Sequence, residues 1–416
     1  MSDHCAHHCN TSTLWQSSGL QHYPALSSHT TCEICIVGGG ITGLASAFEL
    51  NLRGRDVLII EAGALAAGQT SRSTAHLVTA LDERYFTLDA NFGPKIARAA
   101  ARQHTNAIKW IREIVKNDQI NCDLAIRNSL LVVDPSIASR CDYLIAREFE
   151  AATRAGVECH RTTSDSVMVG GFCSPALLFP DQAQLDPVRL VHGLAAGIIR
   201  RSGRIHCDTA ACAIKPHGDC IHVVVHTGHT IRAKHVLLAT HRPPDPIVTM
   251  LRPLSASVSF VVAFQAPPAL HERDELLLWD GYWDNSIPYH YARVAHAPKQ
   301  RGSANTSADR WFIVGGEDRG IDKPCDSLDR YDAIERWTRL HLPYAGPRRA
   351  QWKGTILEPK GEFAIIDQVP TLENVYVVTG DSGNGLTYAA IAARRIADMI
   401  EGLPSNPLED AMFAAT

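Results

Sequence analysis

The chain has 416 residues, of which 45% are hydrophobic and 20% are charged, and its formal net charge is −4 at pH 7. This length allows two to three domains of about 150 residues each, and the near-neutral charge without runs of like charge excludes nucleic acid and membrane as expected partners. No apolar run is long enough to span a bilayer, and the first residues lack the regions of a secretion signal, so we expect a cytoplasmic protein.

The N-terminal residues bring thiols and imidazoles together. This combination is a donor set that zinc accepts, but a polar tail without a metal is the favoured interpretation. The twelve cysteines of the chain are expected to be reduced and mostly packed. The cluster consists of His4, Cys5, His7, His8 and Cys9.

The first predicted elements are a strand, a glycine-rich turn and a helix. Ile34–Val37 is short and apolar, Gly38-x-Gly40-x-x-Gly43 follows at once, and apolar residues then recur at helical spacing up to Gly54. In such a unit the first glycine permits a tight turn, the second lets backbone approach a pyrophosphate, and the third lets the helix pack on the strand. The helix N-terminus also directs free N–H groups at the phosphates.

An acidic residue ends the second predicted strand. The segment DVLIIEAG (Asp56–Gly63) carries Glu61, 18 residues after Gly43. A carboxylate at about this distance from the glycine turn binds the ribose hydroxyls of a dinucleotide. Strand, turn, helix, strand and acidic residue, in this order, predict a dinucleotide site.

Two later segments favour FAD over NAD. Ile231–Pro244 supplies an apolar strand that ends in Ala239 and Thr240, and a β-like meander precedes it. Asn374–Gly402 predicts a strand, a glycine-rich turn and a helix that starts near Leu386. Loop amides and a helix N-terminus stabilise the negative charge that reduced flavin carries near N1 and the C2 carbonyl.

Four segments carry a family resemblance. They resemble a bacterial subgroup of the D-amino-acid oxidase superfamily, the FAD-dependent oxidoreductases that include glycine oxidase, sarcosine oxidase and the γ-glutamylputrescine oxidoreductases. Some members of that subgroup end in a Rieske iron–sulfur domain, which we do not expect here. The resemblance runs from about Leu14 to about Phe413. The segments are STAHLVTALDERY (Ser73–Tyr85), PYHYARV (Pro288–Val294), GGED (Gly315–Asp318) and Val375–Gly385.

The resemblance implies an α/β fold in which a Rossmann-like FAD-binding domain is interleaved with an antiparallel-sheet α+β substrate domain. We assign 30–110, 181–245 and 345–404 to the FAD-binding domain, 111–180 and 246–344 to the substrate domain, and 1–29 and 405–416 to the tails.

The resemblance also implies which residues contact the cofactor. They comprise the glycine turn with Glu61, a segment beside the flavin ring, a backbone contact to adenine, and the loop at the pyrimidine edge. The alternative for the serines and threonines is to cap a helix near Ala75. Since Gly68–Arg72 holds no histidine and the C-terminal loop no cysteine, we expect non-covalent FAD. The residues are Gly38, Gly40, Ile41, Thr42, Gly43, Glu61, Ala62, Thr70, Ser71, Arg72, Ser73, Thr74, Ala211, Ala239, Thr240, Gly380, Asp381, Gly383, Asn384, Gly385, Leu386 and Thr387.

The candidate catalytic residues lie on the YHYAR segment and near it. Because side chains alternate along a strand, only one face of this strand can point toward the flavin. That face carries either Tyr289, Tyr291 and Arg293, or His290, and we favour the tyrosine face. Ordinary strand packing is the alternative. We also expect Trp352 to line the pocket, and Lys353 to replace the arginine with which amino-acid oxidases bind a carboxylate. His76 either contacts flavin or substrate, or is a buried histidine.

The expected reaction is oxidation of the C–N bond of an amine or amino acid by hydride transfer to flavin N5, which requires no obligatory acid or base. One alternative is a flavin dehydrogenase acting on a C–OH or C–C bond. Another is a non-catalytic flavin-binding partner protein, suggested by Gly361 and Tyr388, which replace the subgroup's usual aspartate and histidine. Sarcosine-type oxidases carry a lysine at the position of Ile313, and that cation stabilises superoxide as it forms. Without the cation, reduction of oxygen should be slow. We therefore expect a separate electron acceptor, which is oxygen reacting slowly, a quinone or an iron–sulfur protein.

Overall fold

The computed structural model describes residues 13–133, 139–162, 175–267, 277–280, 289–296, 310–322 and 327–416. Its strands are β1 (Thr30–Val37), β2 (Val57–Ile60), β3 (His76–Leu77), β4 (Ala125–Val132), β5 (His160–Thr162), β6 (Ala176–Gln184), β7 (Arg204–His206), β8 (Ala211–His217), β9 (Cys220–Val225), β10 (Thr230–Leu238), β11 (Leu254–Gln265), β12 (Leu277–Asp280), β13 (His290–His296), β14 (Arg310–Gly320), β15 (Arg348–Pro359), β16 (Ile365–Gln368) and β17 (Val375–Thr379). Its α-helices are α1 (Ile41–Leu52), α2 (Tyr85–Phe92), α3 (Pro94–Asn117), α4 (Cys141–Ala155), α5 (Pro187–Arg200), α6 (Asp245–Val248), α7 (Ser327–His341), α8 (Gly385–Ile400) and α9 (Pro407–Phe413).

The first sheet has the order β16-β17-β10-β1-β2-β7, and β8 and β9 extend from β10 as an antiparallel meander. Strands β1, β2, β7, β10 and β17 are parallel to one another. Ile34 and Ile36 of β1 face the helices, whereas Cys35 and Val37 face the meander side. Parallel strands buried on both faces read as continuous apolar runs, which is why β1 and β2 were recognisable in the sequence.

The second sheet has the order β15-β11-β14-β13-β12-β4-β6-β3, with β5 paired to β6. We call β11, β13, β14 and β15 the roof. One face of the roof, with Phe260 and Val262, packs against α7, and the other, with Val261 and Ile313, joins the main core. The expected α/β fold with a parallel and an antiparallel sheet is confirmed.

Element bounds differ from three expectations. Strand β15 belongs to the roof, although 345–404 were assigned to the FAD-binding domain. Helix α3 runs through the boundary placed at residue 110. No helix starts near Ala75, which has a φ of +57°, and β3 follows it and pairs with β6. The alternative role of the nearby serines and threonines as caps of a helix is therefore wrong, because the segment after Ala75 is extended. None of the helices in the described ranges is long and apolar enough to cross a membrane.

Candidate active site

A cavity of about 1060 Å³ separates the first sheet from the roof. It begins where Val37, Ile60 and Leu238 end their parallel strands, and it reaches Tyr289 and Tyr291 on the roof. Ligands of open α/β sheets bind in the crevice beyond the carboxyl ends of the strands, which is where this cavity lies. The sequence-predicted residues at both of its ends are therefore brought into one space.

The glycine turn forms a cradle, Gly38–Gly43, at the start of α1. Gly38 has a φ of +120°, and a Cβ there would lie 2.4 Å from the carbonyl oxygen of Ala239. A Cβ on Gly43 would lie 1.9 Å from the carbonyl oxygen of Gly38, so this glycine permits helix and turn to touch. Gly40 lines the cavity itself. The cradle thus fits a pyrophosphate, since the N-terminus of a helix attracts anions through its backbone N–H groups and its dipole.

Glu61 is held by backbone N–H groups at the end of β2. Its Oε2 accepts from Gly39 N at 2.6 Å, and its Oε1 accepts from Gly63 N at 2.9 Å. The carboxylate lines the cavity beside Ala62 and near Ala211. This position fits the ribose role expected from its spacing.

We expect Glu61→Gln to weaken FAD binding by about fivefold, because the amide replaces one of two acceptor oxygens and the loss of one such hydrogen bond costs about 1 kcal/mol. Titration of the apoprotein, followed by quenching of flavin fluorescence, measures the change. Glu373→Gln, on an exposed side chain in the turn before β17, is the control. Equal affinities of the two variants would contradict the role of Glu61.

The segment beside the predicted flavin ring is fixed from two sides. Trp352 Nε1 donates to the carbonyl of Arg72 at 2.9 Å, and Arg72 Nη1 donates to the carbonyl of Lys353 at 3.0 Å. Trp15 Nε1 donates to the carbonyl of Ser73 at 2.8 Å. Trp352 is completely buried and does not line the cavity, so it positions this segment from behind.

Tyr289 and Tyr291, on one of the two faces that alternation allowed for β13, line the cavity. The Tyr289 and Tyr291 ring centroids are 5.6 Å apart, and Tyr291 Oη lies 3.3 Å from Ser259 Oγ. The His76 ring meets Tyr291 edge-on at 5.6 Å. His290 points the other way and stacks on Trp337. Burial raises the pKa of both tyrosines, which keeps the phenols protonated.

Besides Trp352, two more of the residues expected in the pocket do not line the cavity. Lys353 pairs with Phe260 on the outer side of the roof, and its Nζ lies 3.4 Å from Ser327 Oγ. Arg293 is buried and donates from Nη1 to the carbonyls of Ala75 and Leu185 at 2.7 and 3.1 Å. Lys353 was expected to bind a substrate carboxylate, and this expectation is wrong, because strand alternation turns its side chain toward α7.

The loop before α8 closes the other wall. Asn384 lines the cavity, and its Nδ2 donates to Asp82 Oδ2 at 2.8 Å. Burial raises the pKa of Asp82 to about 6. Sequence reasoning missed Asp82, although it lies inside the quoted STAHLVTALDERY segment, because a single carboxylate after an apolar run carries no distinguishing pattern.

Most of the candidate residues line the cavity. Those that line it are Gly38, Gly40, Ile41, Thr42, Glu61, Ala62, Thr70, Arg72, Ser73, Thr74, His76, Ala211, Ala239, Thr240, Tyr289, Tyr291, Asp381, Gly383, Asn384, Gly385 and Leu386. The candidates outside the lining are Gly43, Ser71, Arg293, Trp352, Lys353, Gly380 and Thr387. Further lining residues that the sequence did not single out as contacts include Gln69, Asp82, Ser259, Val261, Thr355, Ile356 and Tyr388.

The N-terminal histidines and cysteines lie outside the described residues. Within the described ranges, no group of three or more histidine, cysteine, aspartate or glutamate side chains is arranged to hold a metal ion.

Comparison with known proteins agrees with this geometry. The sequence pattern of the DAO family, described as FAD dependent oxidoreductase, matches residues 33–399. The chain belongs to the DAO family of FAD-dependent oxidoreductases. The family resemblance recognised in the sequence is confirmed.

Relatives of this DAO-family protein extend over nearly its whole length. It is 33% identical to the "Putative Rieske 2Fe-2S iron-sulfur protein YhfW" of Bacillus subtilis, a match that covers 95% of this chain and 74% of the relative. It is 24% identical to γ-glutamylputrescine oxidoreductase of Escherichia coli, over 94% and 89% of the two chains. The glycine oxidase structure from Geobacillus kaustophilus superposes with a TM-score of 0.73 at 18% identity, covering 93% and 98%.

Proposed function

We propose that this DAO-family oxidoreductase oxidises the C–N bond of a small-molecule amine or amino acid with non-covalently bound FAD. The continuous cavity from the Gly38–Gly43 cradle to Tyr289 and Tyr291 carries the proposal. Bound FAD would supply, at N5, the acceptor for a hydride from the substrate carbon. The names of a relative and of a similar structure, a γ-glutamylputrescine oxidoreductase and a glycine oxidase, support a C–N substrate.

The protein would orient the substrate against uncharged side chains of the cavity wall. The Tyr289 and Tyr291 phenols stay protonated, and therefore uncharged, at neutral pH. Burial, with the Arg293 charge adding to it, lowers the pKa of His76 to about 3. His76 is therefore neutral at pH 7, so it does not repel a cationic amine, and a neutral imidazole accepts a hydrogen bond.

Two observations support non-covalent attachment. The 3₁₀ turn Gln69–Arg72 beside the predicted ring contains no histidine. Among the described lining residues the cysteine is Cys212, which lies beside Ala211 at the adenine end. Precipitating the purified protein with acid should release FAD into the supernatant, and flavin fluorescence retained by the denatured chain on a gel would contradict this.

Anaerobic mixing with a panel of amines, amino acids and hydroxy acids tests the reaction. We expect amines or amino acids to bleach the flavin absorbance. Bleaching by hydroxy acids alone would favour a dehydrogenase acting on a C–OH bond, and flavin that no compound reduces would favour a non-catalytic binding protein.

The sequence departure at Gly361 has a structural explanation. Gly361 has a φ of +104°, and a Cβ there would lie 2.8 Å from Arg252 Nη1, which donates to the carbonyl of Lys360. A left-handed turn packed against an arginine favours glycine. The missing aspartate therefore does not argue for lost catalysis.

We further propose that electrons pass to a separate acceptor. Ile313 is completely buried and does not line the cavity. Among the described residues of the roof, those that line it are Ser259, Val261, Tyr289, Tyr291, Gly354, Thr355 and Ile356. None of them is a cation that could stabilise superoxide as it forms.

We expect slow reoxidation of the reduced enzyme by air-saturated buffer and faster reoxidation by an added quinone. Stopped-flow absorbance of the flavin measures both rates. Reoxidation by oxygen as fast as by the quinone would contradict the proposal. Ile313→Lys is an unsuitable test, because the new ammonium group would be buried among apolar side chains.

A further inference from the structure

Gly315 lies on the inner face of the roof, in the middle of β14. In the strand register it stands directly opposite Val261 of β11 and Tyr291 of β13. Residues directly opposite each other in antiparallel strands direct their side chains to the same face of the sheet. Val261 and Tyr291 line the cavity, whereas Gly315 does not. A side chain at position 315 would therefore point toward the cavity, and another residue covers that place.

The ring of Tyr291 covers Gly315. A Cβ on Gly315 would lie 2.3 Å from Cζ, 2.4 Å from Oη and 2.5 Å from Cε2 of Tyr291. The Tyr291 Oη lies 3.3 Å from Oγ of Ser259, which is on β11. The ring therefore extends from β13 across β14 to β11, although strand side chains ordinarily stand roughly perpendicular to the sheet.

The side chain of Tyr291, and not the backbone, requires glycine at position 315. The φ of Gly315 lies outside the left-handed region, so alanine is compatible with its backbone. The next residue, Gly316, differs, because its φ is +140°. Glycine weakens the interior of a strand, where it often marks the close approach of another group. At Gly315 that group is the end of the Tyr291 ring.

A Tyr291 ring displaced from Gly315 would move into the cavity. The backbone of β14 lies behind the ring, and Tyr291 itself lines the cavity in front. His76 and Tyr289, whose rings each lie 5.6 Å from that of Tyr291, line the same cavity. The position of the ring across the strands therefore keeps open a space that an upright tyrosine would fill.

We propose that Gly315 is a positioning residue that sets the size of the substrate. It seats the Tyr291 ring across the roof, and the cavity then admits an amine with a bulky substituent on the reacting carbon. This inference rests on the proposed oxidation of a C–N bond and adds the size class of its substrate. Gly315 itself touches neither substrate nor flavin and acts through the ring of Tyr291.

The FAD-loaded Gly315→Ala variant tests the placement of the ring. Because carbon atoms in contact stay about 3.5 Å or more apart, the new methyl group should displace the end of the Tyr291 ring by at least about 1 Å toward the cavity. Crystal structures of the variant and of the wild type measure this displacement. A ring that stays in place, with β14 moved away from it, would overturn the proposal.

Three primary amines test the size of the space. Ethylamine, isobutylamine and benzylamine carry a methyl, an isopropyl and a phenyl group on the reacting carbon. Under anaerobic conditions, the dissociation constant comes from perturbation of the flavin spectrum, or from the concentration dependence of bleaching where the flavin is reduced. The wild type should bind benzylamine at least as tightly as ethylamine. Gly315→Ala should weaken binding of benzylamine by at least about tenfold and that of ethylamine by less than about twofold.

Two controls separate the seating of the ring from damage to the roof. Gly320→Ala lies at the end of the same strand, and its Cβ would meet only Oδ1 of the exposed Asp322 side chain, so both measurements should stay unchanged. Tyr291→Leu removes the ring atoms that the new methyl group meets. In that background Gly315→Ala should no longer change the preference between the amines, since the two residues act as one coupled pair. A loss that persists without the ring would overturn the proposal.

The outcomes distinguish this inference from the function on which it rests. An equal loss for all three amines, or a wild type that binds ethylamine but excludes benzylamine, overturns the size class and leaves the proposed function intact. If no amine perturbs or bleaches the flavin of the wild type, the proposed function is contradicted, and the position of the Tyr291 ring in Gly315→Ala decides the inference.

Discussion

Gly40→Val is expected to abolish FAD binding while leaving the protein folded. Gly40 has a φ of −81° and a ψ of −176°, which valine adopts without strain. A Cβ there would meet Thr70 Oγ1 at 3.1 Å and otherwise projects into the lining of the cavity. The valine methyls therefore occupy the space of a pyrophosphate, and we expect affinity to fall at least about a hundredfold.

Fluorescence titration of the apoprotein with FAD measures this loss, and circular dichroism checks the fold. Gly63→Val is the matched control, since the nearest atom to its Cβ would be Glu61 Oε1 at 4.0 Å and Gly63 does not line the cavity. Gly43→Val does not serve as a test, because its Cβ would collide with the Gly38 carbonyl and disrupt the turn. Wild-type affinity in Gly40→Val would contradict the assignment of the cradle.

Glu148→Ala is expected to lower the free energy of unfolding by about 3 kcal/mol. Glu148 is completely buried on α4, where its Oε1 accepts from Tyr85 N at 3.1 Å and its Oε2 accepts from Phe86 N at 3.2 Å. Alanine leaves two N–H groups at the start of α2 without acceptors and leaves a cavity. Because α2 follows directly after Asp82, the wall of the active site should loosen with it.

Urea denaturation of the apoprotein measures the loss. Glu148→Gln should lose less, since its amide oxygen still accepts one of the two hydrogen bonds. Glu150→Ala, on an exposed position of the same helix, should stay within about 0.5 kcal/mol of wild type. Equal stability of the variants at positions 148 and 150 would show that the two hydrogen bonds accepted by Glu148 contribute little to the free energy of unfolding.

The sequence predicted the parts of the fold whose signal is local. Strand β1, the glycine turn and α1 follow from an apolar run, three glycines and helical spacing within about twenty residues. Strand β17 and α8 were recognisable for the same reason. Alternation limited β13 to two possible faces, because a strand side chain has only two directions, and the favoured tyrosine face is the one with residues in the cavity lining.

The sequence could not predict which distant strands share a sheet. Strand β15 lies next to the predicted FAD-binding residues in the chain but pairs with β11 in the roof. In that register the side chain of Trp352 points into the core and that of Lys353 points toward α7. No pattern within QWKGTILEP predicts which of these side chains faces which way. Asp82 and Tyr291 line the same cavity only because β13 and the segment before α2 converge there, a relation between residues more than 200 positions apart.

The sheet order also constrains how the protein comes to hold its cofactor during synthesis. In the first sheet β10 lies between β1 and β17, and the wall formed by Asn384 and α8 follows β17 in the chain. The Gly38–Gly43 cradle leaves the ribosome early, but the cavity is complete only after Tyr388 has emerged. Capture of the flavin therefore follows translation of almost the whole chain, and ribosome-bound fragments that end before β17 should remain colourless and depend on chaperones.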